Sequence, residues 1–291
     1  MSGKGTAFSK KLKLHSGSKD FILELPVVMG ILNVTPDSFY DGGRYGGSGE
    51  ILDQVKRMID QGAAIIDVGG VSTRPNAPFV DEKAEMKRLI PAICTIRETF
   101  PGVLISADTF RSNIALEACN AGADMINDVS AGRFDPEIMK VAATLDVPYV
   151  MMHMQGTPRN MQDNPTYQDV TVEVYDFFCQ RIKMALDKGV AQLILDPGFG
   201  FGKSLNHNFT LLKDLGRFGG LGFPVLVGIS RKSMINKVLS VKPEHALNGT
   251  SVLNTLAILN GASILRVHDV KEAVEAITLC EQYVLNPALF S

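Results

Sequence analysis

Cysteine is scarce in this chain, and its spacing excludes two kinds of chemistry. The four cysteines, Cys94, Cys119, Cys179 and Cys280, include no C-x-x-C pair, so a zinc ribbon and a thioredoxin-type redox centre are both ruled out. Each lies in a segment with helical, amphipathic patterning and reads as a small packing residue in a reducing compartment. Charge of one sign is also missing. A net charge of −2 gives no signal for a nucleic-acid or anionic-membrane partner. No apolar run is long enough to span a bilayer. The first residues, "MSGKGTAFSKKLKLHSGSKD", are polar and lysine-rich and lack the apolar core of a signal peptide. The expectations are a cytoplasmic location and a solvated, disordered tail over residues 1–20. No Gly/Ser linker breaks the remainder, so residues 21–291 read as a single domain.

What the chain does have is a regular alternation. After a short strand, "FILELP", comes "VVMGILNV", an apolar, β-branched run of the kind that forms a strand buried on both faces. "EILDQVKRMIDQG" follows with helical period, and Gly62 marks its end. The pattern repeats through "AAIIDVGG", "LISADT", "ADMINDV", "PYVMMHM", "LILDPGFG", "PVLVGIS" and "ASILRVHDV", each followed by a helical segment. Pro91 is expected to kink or divide the second helix. Asp135 is expected to cap the fourth, with Pro136 at its first position. About eight β-α units predict an α/β fold, a (β/α)8 TIM barrel with a short N-terminal strand or hairpin extension. A doubly wound open sheet is the alternative; the number and even spacing of the units favour the barrel.

Each predicted strand ends in polar residues. In order they are Asn33, Asp67, Asp108, Asn127 with Asp128, His153, Asp196, Ser230 with Arg231 and Lys232, and Arg266 with His268. A carboxylate or amide on a doubly covered strand must be hydrogen-bonded or lose its hydration at several kcal/mol. In a barrel the C-terminal strand ends meet at one mouth, where active sites lie. Asp108, Asn127 and Asp196 suit the N–H edge of a planar heterocycle. Arg74, Lys232, Arg266 and His268, with Asn33 nearby, suit an anion.

Plainer readings hold elsewhere. Asp67 and Asp128 read as supporting or capping residues, and His153 as a hydrogen-bonded wall residue. "GFGFGK" lacks the spacing of a phosphate-binding loop and reads as a turn that lets a ligand approach, with Lys203 facing solvent. Met151, Met152 and Met154 read as core, with Met152 reaching the ligand.

The ordered set "GILNVTPDSF", "DVGGVSTRP", "ISADTF", "INDVSAG", "MHMQGTP", "LDPGFGFGK", "GISRKS" and "ILRVHDV" resembles the dihydropteroate synthases over roughly residues 27 to 285. The resemblance implies a barrel enzyme, usually a homodimer. It joins 6-hydroxymethyl-7,8-dihydropterin diphosphate to p-aminobenzoate with Mg2+, and releases pyrophosphate. It implies pterin contacts from Asp108, Asn127, Met152, Asp196, Phe201, Lys232 and Arg266. The diphosphate falls to Asn33, Arg74, Arg266 and His268, and the metal to Asn33 and Asp37. The p-aminobenzoate site, where sulfonamides also bind, falls to Thr73, Arg74, Pro75, Phe201, Ser230 and Lys232. Asp37, Arg74, Asp108 and Lys232 form the catalytic set. Tyr40, Val71 and Asn76 depart from the family's usual residues. The competing readings are a pterin-binding methyltransferase barrel, which has no need of "TPDSF", "STRP" or "RVHD", and a pterin binder without turnover.

Overall fold

A computed structural model describes residues 8, 10–34, 46–71, 80–158 and 160–285. The expected parallel strands form one eight-stranded sheet. They are β3 (Val27–Asn33), β4 (Ile65–Gly69), β5 (Leu104–Asp108), β6 (Met125–Asp128), β7 (Tyr149–Met152), β8 (Leu193–Asp196), β9 (Leu226–Val227) and β10 (Ile264–Val267). The order is β8-β7-β6-β5-β4-β3-β10-β9. A parallel bridge from Leu195 to Val225 brings the two edges together, which makes a barrel and not an open sheet. The helices between strands are α1 (Gly46–Asp60), α2 (Glu82–Thr99), α3 (Ser112–Asn120), α4 (Ile138–Leu145), α5 (Val170–Asp187), α6 (Leu205–Lys213), α7 (Ser233–Leu239), α8 (Leu247–Leu259) and α9 (Val270–Leu285). Among the described residues, no helix is long and apolar enough to cross a membrane.

Local chemistry places the helix starts. The Asp81 carboxylate accepts the Ala84 N–H at 2.8 Å and caps α2. Asp169 caps α5 by accepting from Thr171 and Val172. Pro91 does not divide α2, which runs unbroken through it. Pro91 and Lys87, whose carbonyl loses its helical partner, both lie on the exposed side, where water satisfies that oxygen. Asp135 does bond locally, to Glu137 N–H at 3.1 Å, but α4 starts later than expected, at Ile138. The other Asp135 oxygen is taken by Ser112 N–H at 2.7 Å, so this carboxylate joins two helix starts.

The expected N-terminal hairpin extension is present, but the reading of a tail reaching residue 20 needs correction. Residues 11–20 are not a solvated tail. β1 (Lys11–Ser16) and β2 (Lys19–Glu24) form an antiparallel hairpin, turning at Gly17 with φ +57°. The lysine content hides a period of two, in which Leu12 and Leu14 alternate with Lys11, Lys13 and His15. Leu14 is 2% exposed. It packs with Met29, Ile65, Leu104, Met125, Val150, Ile194, Leu226 and Ile264, one residue from each barrel strand. The hairpin therefore seals the N-terminal end of the barrel. Polar bonds hold it there: Gln192 accepts from His15 N–H at 2.6 Å and donates to His15 O at 3.0 Å, and Lys19 reaches Asp124 at 3.1 Å. A larger apolar layer, including Ile66, Val68, Ile105, Ile126 and Tyr149, packs the outer strand faces against the helices.

Asp124 is the hub of that sealed end. It is 2% exposed, pairs with Arg97 and accepts from Ile105 N–H at 3.0 Å. Asp124→Ala is expected to lower stability by about 3 kcal/mol by leaving a half-buried guanidinium without its carboxylate. Urea unfolding measures this. Steady-state constants should stay within about twofold, because this end of a barrel serves stability.

Candidate active site

Strand periodicity builds the site directly on the apolar floor. Two residues beyond each floor residue, side chains point inward again. From β4, β5, β6, β7, β8 and β10 these are Asp67, Ser106, Asn127, Met152, Asp196 and Arg266. Asp108 and Asn33 lie one step higher on β5 and β3. Asp67 sits inside its strand and not at the end, and His153, Ser230 and His268 lie just past theirs. Asp37, Thr73, Arg74 and Pro75, with Tyr40 and Asn76, fall outside the described residues.

A linked polar network crosses this layer. Arg266 Nε donates to Asp67 Oδ2 at 2.6 Å, and its Nη2 to Asp108 Oδ2 at 2.7 Å. Asn127 Nδ2 donates to both Asp67 oxygens at 3.2 Å. Asp67 is fully buried, so the carboxylate expected to play a supporting part joins the pterin-type amide to the central guanidinium. Asp128 faces outward and holds the following turn: it accepts from Ser130, Gly132 and the Tyr149 hydroxyl. The buried Ser106 hydroxyl has no hydrogen-bond partner among the described residues.

The rim adds further groups. Asp196 Oδ1 accepts from Gly198 N–H at 2.7 Å. The Lys232 ammonium donates to Phe199 O and lies 4.6 Å from the centre of the Phe201 ring. Ser230 Oγ and His268 Nδ1 are 3.1 Å apart. Gly69 separates Asp108 from Asn33: a Cβ there would lie 3.5 Å from Asp108 Oδ2 and 3.7 Å from Asn33 Oδ1. Phe201 packs on a separate apolar cluster with Met152, Met154 and Phe134.

Burial and charge tune the groups. Burial pushes the Asp108 carboxyl up to about 7, with Asp67, Asp128 and Asp196 adding to the rise and Arg266 opposing it. Burial also raises Asp196, against the pull of Lys232. Burial lowers Lys232 to about 8, against Asp196 and helped by Arg266. Burial alone would lower Arg266, but Asp67 and Asp108 outweigh it and hold the guanidinium above its ordinary value.

Lys203 overturns an expectation. It is not solvent-facing but 3% exposed, with its ammonium against His153 and the backbone of the loop after β8. Composition gave no signal for this. A signal lay in the glycines before it, whose backbone must turn back under the rim.

A sealed parallel barrel whose inner layer offers carboxylates and an amide, with cations at its rim, has the architecture of a barrel enzyme with a polar small-molecule pocket at the C-terminal mouth. The comparisons agree. A family model for pterin binding enzymes matches residues 29–268. Dihydropteroate synthase from Escherichia coli K12 is 44% identical over 93% of this chain and 96% of its own length. The Yersinia pestis dihydropteroate synthase solved with a sulfonamide drug has a TM-score of 0.87 at 41% identity, covering 94% of this chain and 99% of that one. The Xanthomonas albilineans dihydropteroate synthase solved with 4-aminobenzoic acid has a TM-score of 0.88 at 40% identity, covering 96% and 100%. The chain belongs to the dihydropteroate synthase family, whose members are transferases of folate biosynthesis.

The shifted groups predict a pH profile. An ionised carboxylate accepts an N–H more strongly than a protonated one, so on the expected contact of Asp108 with the pterin, pterin affinity should rise as pH passes about 7. It should fall above about 8 as Lys232 loses its proton. Asp108→Asn should remove the acid limb and Lys232→Met the alkaline limb in a fluorescence titration with a dihydropterin. A flat wild-type profile across about pH 6 to 9 would refute the assignment.

Proposed function

We propose that this chain condenses 6-hydroxymethyl-7,8-dihydropterin diphosphate with p-aminobenzoate, releasing pyrophosphate and forming dihydropteroate. The observation that carries the reading is the Arg266 network: one guanidinium bound to Asp67 and Asp108 joins the pterin-type carboxylates to the cationic rim. Asp108, Asn127 and Asp196 take the N–H edge of the ring, and Met152 and Phe201 border it. Lys232 donates to the pterin and lies beside the p-aminobenzoate site. Arg266 packs on the ring and, with Asn33, Arg74 and His268, holds the diphosphate. Thr73, Arg74, Pro75, Phe201, Ser230 and Lys232 shape the p-aminobenzoate site.

Mg2+ fits the donor set. Among the described residues no group of three His, Cys, Asp or Glu side chains forms a metal cage. Asn33 offers a hard amide oxygen next to the diphosphate groups. Mg2+ keeps several waters and is held by a few protein oxygens together with substrate phosphates. Asn33 and Asp37 would hold it, and when bound it would supply charge neutralisation at the diphosphate.

The reaction follows from fixed charges more than from proton transfer. The methylene C–O bond breaks, and its electron pair leaves with pyrophosphate, whose charge Arg266 and His268 stabilise. The electron-rich dihydropterin delocalises the cation, and the Asp108 carboxylate lowers its energy. The arylamine, neutral at pH 7, then forms the C–N bond and gives its proton to solvent. The path is SN1-like, and it needs no strong base.

A homodimer in the cytoplasm completes the proposal. Val252, Leu256 and Leu259 lie on one face of α8 and are 52%, 43% and 37% exposed. Leu279 and Tyr283 of the neighbouring α9 are 71% and 77% exposed. Apolar faces of this kind mark protein interfaces.

Incubation with dihydropterin diphosphate, Mg2+ and p-aminobenzoate should release pyrophosphate in step with dihydropteroate, followed by mass. Pterin binding without product would reject the synthase reading. Asp196→Ala should abolish pterin binding while leaving the chain folded by circular dichroism. Val252→Glu with Leu256→Glu should give a folded monomer by light scattering; an unchanged dimer would place the interface elsewhere.

A further inference from the structure

Lys203 is a buried amine that the reaction above does not use. Its Nζ lies 2.9 Å from His153 Nδ1 and donates to Gly198 O at 2.9 Å, Phe201 O at 3.1 Å and His153 O at 3.3 Å. Burial lowers the amine well below its ordinary value, opposed by the charge of Asp196 and helped by that of Lys232. Among the described residues its hydrogen-bond partners are a cage of three backbone carbonyls and one imidazole. Burial, then the charges of Lys203 and Arg133, hold His153 well below its ordinary value, so the imidazole is neutral.

The glycines of "GFGFGK" make the cage possible. Gly198 and Gly202 adopt φ +70° and +63°, in the region that side chains disfavour. A Cβ at Gly198 would lie 1.9 Å from His153 O, and one at Gly202 would lie 2.5 Å from Gln155 O. The loop after β8 is therefore pressed onto the backbone that follows β7. Its carbonyls turn inward to an amine, whereas phosphate-binding loops turn N–H groups inward to an anion. The resemblance to a phosphate loop is thus reversed in sign.

The same loop carries Phe201. Its N–H donates to Gly198 O at 3.1 Å and its carbonyl accepts from Lys203. The ring rests on the Met152 and Met154 cluster, with the Lys232 ammonium 4.6 Å from its centre. Flanking bonds tie the remaining loop down: Gln162 to Gly200 O at 2.5 Å and Tyr167 to Gly202 O at 2.8 Å. Lys203 is the member of this set that joins the two ends of the turn to the strand-end residue of β7.

We propose that Lys203 is a positioning residue for the arylamine subsite: without touching substrate, its caged amine fixes the height of Phe201 against Met152 and Lys232. This rests on the placing of Phe201 at the p-aminobenzoate site. Asp108 and Asn127 are held by the Arg266 and Asp67 network, away from this loop, and Asp196 touches the loop only through Gly198 N–H, so Lys203 acts chiefly on the arylamine and much less on the pterin, which Phe201 only borders.

The test is steady-state kinetics of the full chain with each substrate varied. Lys203→Met keeps the length of the side chain but cannot donate. It should raise KM for p-aminobenzoate by roughly tenfold or more, while KM for dihydropterin diphosphate stays within about threefold, since small misplacements at a reacting site are costly. An unchanged p-aminobenzoate KM, or equal rises for both substrates, would overturn the inference. If Lys203→Met fails to fold by circular dichroism, His153→Gln, which alters a single acceptor of the cage, should shift the same KM in the same direction, and equal or absent effects there would overturn it too. Phe201→Ala separates the two readings. A normal p-aminobenzoate KM in that variant would reject the subsite assignment itself. A raised KM in Phe201→Ala beside a normal one in Lys203→Met would reject only the part given to Lys203.

Discussion

Two buried carboxylates sharing one guanidinium govern this molecule. Asp67 is fully buried and Asp108 nearly so, and Arg266 lies between them and bonds both. Removing one partner of such a group leaves an uncompensated buried charge, which is far more damaging than the pairing is stabilising. The arrangement therefore serves the site more than the fold. It opposes the effect of burial on Asp108, and on the proposed assignments it places a guanidinium next to where pyrophosphate would depart. Asp108 is left with its carboxyl raised to about 7, burial being the larger influence and Arg266 the opposing one.

The barrel supports this network by dividing its interior into an oily floor and a polar storey. One apolar residue from each strand, with Leu14, makes the floor. A step of two residues along the same strands brings the polar set into the cavity. A strand shifted by one residue would exchange inner for outer side chains and break both layers. The parallel register, Asp67 beside Ser106 and Asp108 beside Asn127, is thus as much part of the site as the side chains are.

Much of this was legible in the chain. Alternating apolar runs and helical segments specify the barrel because a strand covered on both faces admits few polar residues, and those it admits stand out. Asp108, Asn127 and Asp196 were visible for that reason. A short N-terminal strand or hairpin extension was legible too, but its first strand was not, because its lysines outnumber the leucines that matter and only the period of two betrays it. Lys203 was hidden more deeply. A lysine on a loop normally reaches water, and what prevents it here is a set of backbone carbonyls, which composition does not encode. The helix through Pro91 shows the same limit: whether a proline breaks a helix depends on which side of it meets water.

The hairpin has a consequence beyond stability. The eight apolar strand residues already fill the floor, and the hairpin laid over them leaves the C-terminal mouth, among the described residues, as the side from which the polar layer is reached. On the proposed assignments the pterin groups lie deep within that mouth, and Phe201, Ser230 and Lys232 line its lip. Whatever sits at the lip blocks traffic to the bottom. The heterocycle must then enter ahead of the arylamine, and the joined product must back out whole through the opening by which its two halves came in.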